Sequence, residues 1–286
     1  MEKQVRKSIV ALALGAVAMT FAGAFAGAAD AKDWKKIRIA TEGAYAPWNA
    51  TDASGKLVGF EPDLAKELCK RMNAECEVVA QDWDAIIPAL QQGKYDAIMA
   101  GMSITDERKK VIDFSRPYGS DPVIFATLKD SPLAATKFEI DRLELATIEP
   151  AEQKAIDALA AALKGKTVGV QVSTIHAEFM EKHLPKVEVR TYDKLDNAGI
   201  DLASGRVDAM IGDRSAVEAI AKEAKNMALF GPNLNGGVLG VGVGVGLRKA
   251  DADLKALFDK AIAEATADGT VGKLSTQWFG FDIAIK

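Results

Sequence analysis

The residues best suited to hold a small charged molecule lie in one segment, residues 97–108. Its first four residues are apolar and predict a buried strand. A tight connection follows, formed by Gly101, Met102 and Ser103. Thr105 then predicts a helix start, because its hydroxyl can cap free backbone N–H groups and the next two residues are acidic. With Arg108 in the first turn, this strand end suits a carboxylate or phosphate; the alternative is a plain strand-to-helix connection with a solvated arginine.

Two further strand ends carry chemistry of the same kind. A predicted strand at residues 167–172 is followed by Ser173, Thr174 and a helix, so that hydroxyls and free N–H groups again stand at a helix start. Asp213 follows the predicted strand at residues 207–211, where it could meet a cation or simply cap the next helix. An arginine for a carboxylate and an aspartate for an ammonium group together match the charges of an α-amino acid.

Acidic and aromatic side chains are predicted on loops beside these strand ends. Glu42, Tyr45 and Trp48 lie on the loop after the first strand, and Trp83 lies on a later loop of the same kind. Aromatic side chains are costly to expose on loops and often form the wall of a ligand site. We therefore expect Tyr45 and Trp83 at the site, and Trp48 packed against a neighbouring loop.

Catalytic and metal-binding patterns are scarce in the sequence. His176 and His183 are seven residues apart on one predicted helix, which does not match a zinc site, so we expect both on the surface. Neither a nucleophile elbow nor a glycine-rich phosphate loop is present. Alternating glycines at residues 238–247 predict a strand with one all-glycine face that another element approaches closely. We expect no catalytic residue, no metal and no cofactor.

The first 29 residues predict a secretory signal peptide. They contain a basic leader, an apolar run and small residues before Asp30. A membrane anchor is the alternative, although the run is barely long enough to span a bilayer. Residues 1–29 carry three basic residues and one acidic residue, so their removal takes the formal net charge from −4 to −6. We therefore expect no binding to nucleic acid or to an anionic membrane.

The two cysteines, Cys69 and Cys76, both remain after such a cleavage. An even pair this close in sequence, in an oxidising compartment, favours a disulfide. Two buried free thiols are the alternative.

The order of predicted elements favours an α/β protein with two lobes. Strands and helices alternate from residue 167 to residue 230, which predicts a mostly parallel sheet flanked by helices. Extended stretches near residues 117–123 and 228–233 predict two hinge crossings between this sheet and an N-terminal one. The predicted boundaries are residues 30–120 with 230–286 for lobe 1, and residues 121–229 for lobe 2.

Several segments resemble the periplasmic solute-binding proteins of ABC importers, in the branch that binds polar amino acids such as lysine, arginine, ornithine and histidine. These segments are residues 41–48, 57–61, 97–108, 208–213 and 245–249. The resemblance implies the two-lobed type II periplasmic binding-protein fold, a disulfide between the two cysteines, a periplasmic location and the permease of an ABC transporter as partner. Residues 41–49 and 79–83 are also similar to octopine and nopaline binders.

The predicted ligand-binding residues are Glu42, Tyr45, Trp83, Gly101, Met102, Ser103, Arg108, Ser173, Thr174 and Asp213. The resemblance implies roles for several of them. Arg108 would pair with the α-carboxylate, aided by a serine hydroxyl and a threonine N–H. Asp213 would take the α-ammonium group. Tyr45 and Trp83 would hold the ligand side chain between them, while Glu42 would meet its distal cation, with Glu61 near by.

Two departures from the family pattern leave the ligand open. Ala100 and Gly101 stand where binders of small basic amino acids often carry serines, and residues 129–163 form a longer region that is similar to opine-type proteins. Asp213 favours a free α-amino group, and therefore arginine, ornithine or lysine. The alternatives are an opine binder and a broad binder of polar amino acids.

The predicted function is ligand delivery by hinge closure, carried out by a monomer. An enzyme related to the dehydratases on the same scaffold is the alternative from another class. Such an enzyme would need an acid–base pair, for which Glu42 with Glu61 or Asp213 is the only candidate set.

Overall fold

Strands and helices alternate through the part of the chain that the computed structural model describes, residues 32–285. The strands are β1 (Lys36–Thr41), β2 (Ala44–Tyr45), β3 (Asn49–Thr51), β4 (Leu57–Val58), β5 (Glu75–Ala80), β6 (Ala97–Ile98), β7 (Asp113–Phe114), β8 (Val123–Leu128), β9 (Arg142–Glu144), β10 (Thr167–Gln171), β11 (Glu188–Tyr192), β12 (Ala209–Asp213), β13 (Met227–Asn235) and β14 (Gly246–Leu247). The α-helices are α1 (Phe60–Arg71), α2 (Ile86–Gln91), α3 (Asp106–Val111), α4 (Pro150–Ala162), α5 (Ile175–His183), α6 (Leu195–Ala203), α7 (Arg214–Ala224), α8 (Ala252–Ala267) and α9 (Thr270–Phe279). The predicted signal peptide, residues 1–29, lies outside the described residues.

Two sheets each form the centre of a lobe. The strand order is β5-β1-β6-β14-β7 in the first lobe and β11-β10-β12-β8-β13-β9 in the second. As the βαβ pattern of residues 167–230 predicts, β10 pairs in parallel with β11 and β12. β1 likewise pairs in parallel with β5 and β6. β8 and β14 run antiparallel to their neighbours, and each of them enters its sheet from the other lobe. Both sheets therefore combine a parallel part with antiparallel strands.

Helices cover these sheets through apolar faces. In the first lobe, α1 packs against β5, α8 and α9, and its Leu64 and Leu68 are fully buried. The disulfide between Cys69 and Cys76 joins α1 to β5, as predicted. In the second lobe, α6 and α7 pack on β12 and β8. No helix within residues 32–285 has the length and apolar character needed to cross a membrane.

The prediction of one strand over residues 238–247 is wrong, although its close approach is confirmed. A short 3-10 turn and an irregular segment precede β14. Gly240 and Gly242 have φ angles of 84° and 117°, which favour glycine and interrupt a regular strand. A Cβ at Gly240 would lie 2.4 Å from the carbonyl oxygen of Ile104. The glycines thus allow this segment to pack directly against the connection that leads to α3.

The strand β13 extends past residue 230, where a lobe boundary is predicted. It pairs with β8 and β9 as far as Asn235, so all of it lies in the second sheet. Its register shifts between Phe230 and Leu234, where Gly231 has a φ angle of 84°. The chain then passes to the first sheet through residues 236–245.

Candidate functional site

The facing edges of the two lobes form a small, partly open cavity. Its wall includes six predicted residues from the first lobe: Glu42, Tyr45, Trp83, Gly101, Ser103 and Arg108. It also includes two predicted residues from the second lobe, Thr174 and Asp213.

Met102 and Ser173, which the sequence also places at the ligand, lie outside this wall. Met102 is fully buried in the apolar core beside β6, together with Ile98 and Ile112. Ser173 is exposed at the rim of the cavity, where it contacts Trp83 and Asp84 of the opposite lobe. Because side chains alternate in direction at a strand end, neighbours in sequence do not share one surface.

Arg108 is a buried cation in the cavity wall. As predicted, Thr105 caps α3, and its hydroxyl accepts the backbone N–H of Arg108 at 3.2 Å. Nη1 of the guanidinium donates to the carbonyl oxygen of Ser103 at 2.9 Å, and Cζ lies 5.2 Å from the ring centre of Trp83. Burial lowers the pKa of Arg108 to about 10. This value is still well above 7, so the guanidinium is charged at neutral pH. No acidic side chain within residues 32–285 forms an ion pair with it, so this guanidinium suits a carboxylate ligand.

Asp213 faces the cavity from the start of α7. It occupies the N-cap position, but its side chain makes no capping hydrogen bond. The carboxylate of Asp121 instead accepts the backbone N–H of Ser215 at 2.9 Å. The carboxylate of Asp213 accepts from Tyr45 Oη at 3.1 Å and lies 3.2 Å from His176 Nε2. The side chain is thus free of the capping role and contacts both lobes.

Asp121 lies close enough to Asp213 for their charges to interact. The pKa of Asp121 is raised to about 7, chiefly by burial and then by the negative charge of Asp213. Two carboxylates in one dry region repel each other, and a cation bound at Asp213 relieves that repulsion.

Glu42 is the third charged group of the cavity wall. It is only 7% exposed, and it accepts a hydrogen bond from Nε2 of Gln171 at 2.7 Å. Burial raises the pKa of Glu42 from an ordinary value of 4.5 to about 7. A buried carboxylate with a neutral amide as its hydrogen-bond donor is suited to a cationic group of a ligand.

Four residues of the cavity wall are absent from the sequence prediction: Ala100, Gln171, Ile175 and His176. The prediction that His176 lies on the surface is wrong, since it is 3% exposed. Its burial arises where α5 faces the other lobe, which the periodicity of a single helix does not reveal. The sequence did indicate a site role for Gln171, because it is a polar residue at the last position of the buried strand β10.

Trp48 lies behind the cavity wall, in the packing role expected for it. It is fully buried, and its ring centre lies 5.8 Å from that of Phe60, 6.5 Å from that of Tyr118 and 5.0 Å from that of Phe279. This aromatic group connects α1 and α9 to the loop that carries Tyr45.

Glu61 supports the cavity wall from beneath and does not line it. Its carboxylate accepts from Nδ2 of Asn49 at 2.8 Å, from the backbone N–H of Gly101 at 2.7 Å, and from Oη of Tyr118. Gly101 has a φ angle of 61°, a conformation that favours glycine. Glu61 therefore fixes the connection after β6, and its expected place near a ligand cation is not observed.

Replacing Glu61 by alanine is expected to lower the free energy of unfolding by about 3 kcal/mol, because three buried donors lose their acceptor. Urea unfolding of the ligand-free protein, followed by circular dichroism, measures this change. The control is Glu181→Ala at an exposed position of α5, for which a change within about 0.5 kcal/mol is expected. A loss below about 1 kcal/mol for Glu61→Ala would contradict this role.

Known proteins are similar to this chain in both sequence and fold. The octopine-binding periplasmic protein of Rhizobium meliloti is 44% identical, over 97% of this chain and 98% of its own length. The lysine/arginine/ornithine-binding periplasmic protein of Escherichia coli (strain K12) is 39% identical, over 97% of this chain and 98% of its own length. An ancestral arginine-binding protein bound to arginine superposes with a TM-score of 0.73 at 33% identity, covering 86% of this chain and 99% of the other.

Residues 37–281 match the bacterial extracellular solute-binding proteins, family 3. This match spans nearly all of the described residues, and the relatives above are named as binding proteins of the periplasm. The two lobes, the cavity and these similarities agree with one another. The chain belongs to family 3 of the bacterial extracellular solute-binding proteins and has their two-lobed α/β fold.

Proposed function

We propose that the protein binds a cationic α-amino acid (arginine, ornithine or lysine) in the periplasm and delivers it to the permease of an ABC importer. The observation that carries this proposal is the opposition of two buried charges in one small cavity. The guanidinium of Arg108 lies in the wall of the first lobe, and the carboxylate of Asp213 lies in the wall of the second. These are the partners that an α-carboxylate and an α-ammonium group require.

The orientation of the ligand follows from this pair of charges. Its carboxylate lies against Arg108 and Ser103, and against the backbone N–H of Thr174. The hydroxyl of Thr174 is already used, since it caps α5 and donates to the carbonyl oxygen of Gln171 at 2.7 Å. The side chain of the ligand then extends along the aromatic wall toward Glu42, whose carboxylate meets a guanidinium or ammonium group.

Ligand capture depends on movement of the two lobes. The boundaries predicted from the sequence are residues 30–120 with 230–286 for lobe 1 and residues 121–229 for lobe 2. The pairing of β13 with β8 and β9 favours moving the end of lobe 2 to about residue 235. The ligand contacts both lobes only when the cleft is closed, so it shifts the population toward the closed form. The permease then recognises that form of the monomer.

An opine such as octopine is the second candidate ligand. Nδ1 of His176 is buried at the cavity and has no hydrogen-bond partner within residues 32–285, so it can contact a further polar group of a larger ligand. Ala100 and Gly101 also line the cavity, and neither carries a hydroxyl or a large side chain. The octopine-binding relative supports the same candidate.

Catalysis is not part of this proposal. Glu61 already has three hydrogen-bond donors and lies outside the cavity wall, which leaves Glu42 and Asp213 as its carboxylates. We expect each bound amino acid or opine to be recovered unchanged after prolonged incubation, as judged by mass spectrometry of the released ligand.

A thermal-shift panel tests the choice of ligand. The purified protein is melted with arginine, ornithine, lysine, histidine, glutamine, glutamate, octopine and nopaline. A ligand that binds only the native state raises the melting temperature by mass action. A rise confined to the cationic amino acids supports the proposal, a rise confined to opines favours the second candidate, and no rise with any compound would overturn both.

Glu42→Gln is expected to weaken binding of a cationic amino acid by about 1–3 kcal/mol and to change glutamine binding little, because only the charge is removed. The pH dependence gives a second readout. Below its pKa of about 7, Glu42 takes up a proton that a cationic ligand must expel, so affinity falls as pH decreases. From pH 8 to pH 6 this amounts to about tenfold.

Calorimetric titrations at several pH values compare the two proteins. Glu42→Gln is expected to show a smaller dependence on pH than the wild type, with Asp121 still titrating near pH 7. An equal loss of affinity for arginine and glutamine, or an unchanged pH dependence, would exclude Glu42 from ligand selection.

A further inference from the structure

Three residues form contacts across the rim of the cavity. Nε1 of Trp83 donates to the carbonyl oxygen of Ser173 at 3.1 Å. Oγ of Ser173 donates to Oδ1 of Asp84 at 2.5 Å. Trp83 and Asp84 are consecutive residues of the first lobe, whereas Ser173 belongs to the second. One residue therefore bonds two successive residues of the opposite lobe through its main chain and its side chain.

The backbone of Ser173 is held in an unfavourable conformation. Its φ angle is 57°, in the left-handed region that non-glycine residues seldom adopt. Asn73 and Lys225 also have positive φ angles, but they lie just after the C-terminal ends of α1 and α7, where this conformation is common. Ser173 lies between β10 and the start of α5. Strain of this kind persists where surrounding contacts fix the residue and is concentrated at functional sites.

These contacts also determine the position of Trp83. Its ring lines the cavity and lies over the guanidinium of Arg108, with 5.2 Å between Cζ and the ring centre. A bond to Nε1 restricts rotation of the ring about its side-chain torsions. Ser173 therefore acts on the ligand through the tryptophan, since it does not line the cavity itself.

We propose that Ser173 and Asp84 form a latch that holds the cleft closed over the ligand and positions Trp83. The latch determines how fast a ligand is released, not which ligand is bound, because neither side chain lines the cavity wall. This inference rests on the proposed function, in which a bound ligand is enclosed by the two lobes. It gives Ser173 a role different from the ligand contact expected from the sequence.

Stopped-flow tryptophan fluorescence of the full chain tests the latch. Ser173→Gly removes the hydroxyl and keeps a residue that readily adopts this φ angle, and Asp84→Ala removes the acceptor. Each variant is expected to release arginine about threefold to tenfold faster, which corresponds to one hydrogen bond. Association is expected to change less than about twofold. The double variant is expected to release no faster than the faster single variant, because both changes break the same bond.

The matched control is Ser54→Ala. It removes a hydroxyl–carboxylate hydrogen bond of the same kind, 2.7 Å from Ser54 Oγ to Asp52 Oδ1, in the turn between β3 and β4. Release at the wild-type rate is expected for this control. Wild-type release from either latch variant, multiplied effects in the double variant, or an effect on one ligand alone would overturn the latch. A wild type that binds no compound of the panel would overturn the proposed function, and the latch with it.

Discussion

Arg108→Met is expected to weaken arginine binding by about 3 kcal/mol or more, on the order of 100-fold, as measured by titration calorimetry. The ligand carboxylate would lose the one guanidinium that lines the cavity within residues 32–285, at a position where the arginine side chain is buried. Stability is expected to change in the opposite direction. The ligand-free variant should melt at the wild-type temperature or above, because an unpaired buried charge is replaced by an apolar side chain.

Two further variants test whether the loss of affinity requires a guanidinium at position 108. Arg108→Lys keeps the charge but loses the planar fork that binds a carboxylate with two hydrogen bonds, so a smaller loss of affinity is expected. Arg116→Ala removes an exposed arginine of the first lobe and should leave affinity unchanged. Arginine affinity within about threefold of wild type in Arg108→Met would show that the carboxylate binds elsewhere.

Asp213→Asn is expected to weaken binding of every α-amino acid by about 2–4 kcal/mol. The amide keeps the shape of the side chain and can still accept from Tyr45, but it no longer neutralises an ammonium group. The loss should be similar for arginine and glutamine, unlike the selective effect of Glu42→Gln. Removal of this charge also removes the repulsion of Asp121, so the pKa of Asp121 is expected to fall toward its ordinary value.

Binding and stability measurements together test the Asp213 prediction. Asp157→Asn, at an exposed position of α4, is the control for a neutral amide elsewhere in the same lobe and should bind as the wild type does. An Asp213→Asn variant with wild-type affinity for amino acids would show that the carboxylate serves only to join Tyr45 and His176. Ligands without an α-ammonium group should be unaffected by this substitution.

Local sequence rules predict the parts of the site that depend on one strand end. Thr105 and Thr174 cap their helices as expected, because the capping hydroxyl lies three residues from the N–H that it accepts. These caps put Arg108 and Thr174 at the carboxyl edge of each sheet. Asp213 reaches the cavity for a reason that is only partly local, since Asp121 supplies the capping contact to α7 in its place.

Features that depend on contacts between residues far apart along the chain are not visible in the sequence. His176 lies on a helix whose inward face is defined by the opposite lobe, so its burial could not be read from periodicity. Glu61 is drawn away from the ligand by three donors that are 12, 40 and 57 residues distant along the chain. The glycines at 240 and 242 signalled close packing correctly, but their positive φ angles break the strand that their spacing suggests.

The buried charges of Arg108 and Glu42 affect how readily the cleft closes when no ligand is bound. Closing the cleft without a ligand buries Arg108 without an anion and Glu42 without a cation. This costs several kcal/mol of free energy, and a bound cationic amino acid removes the cost because it supplies both partners. In the proposed function, the ligand-free protein is therefore expected to populate the closed form less than the ligand-bound protein does. In the proposed function, a permease that recognises the closed form would therefore bind mainly ligand-loaded proteins, and ligand-free copies would compete little for its surface.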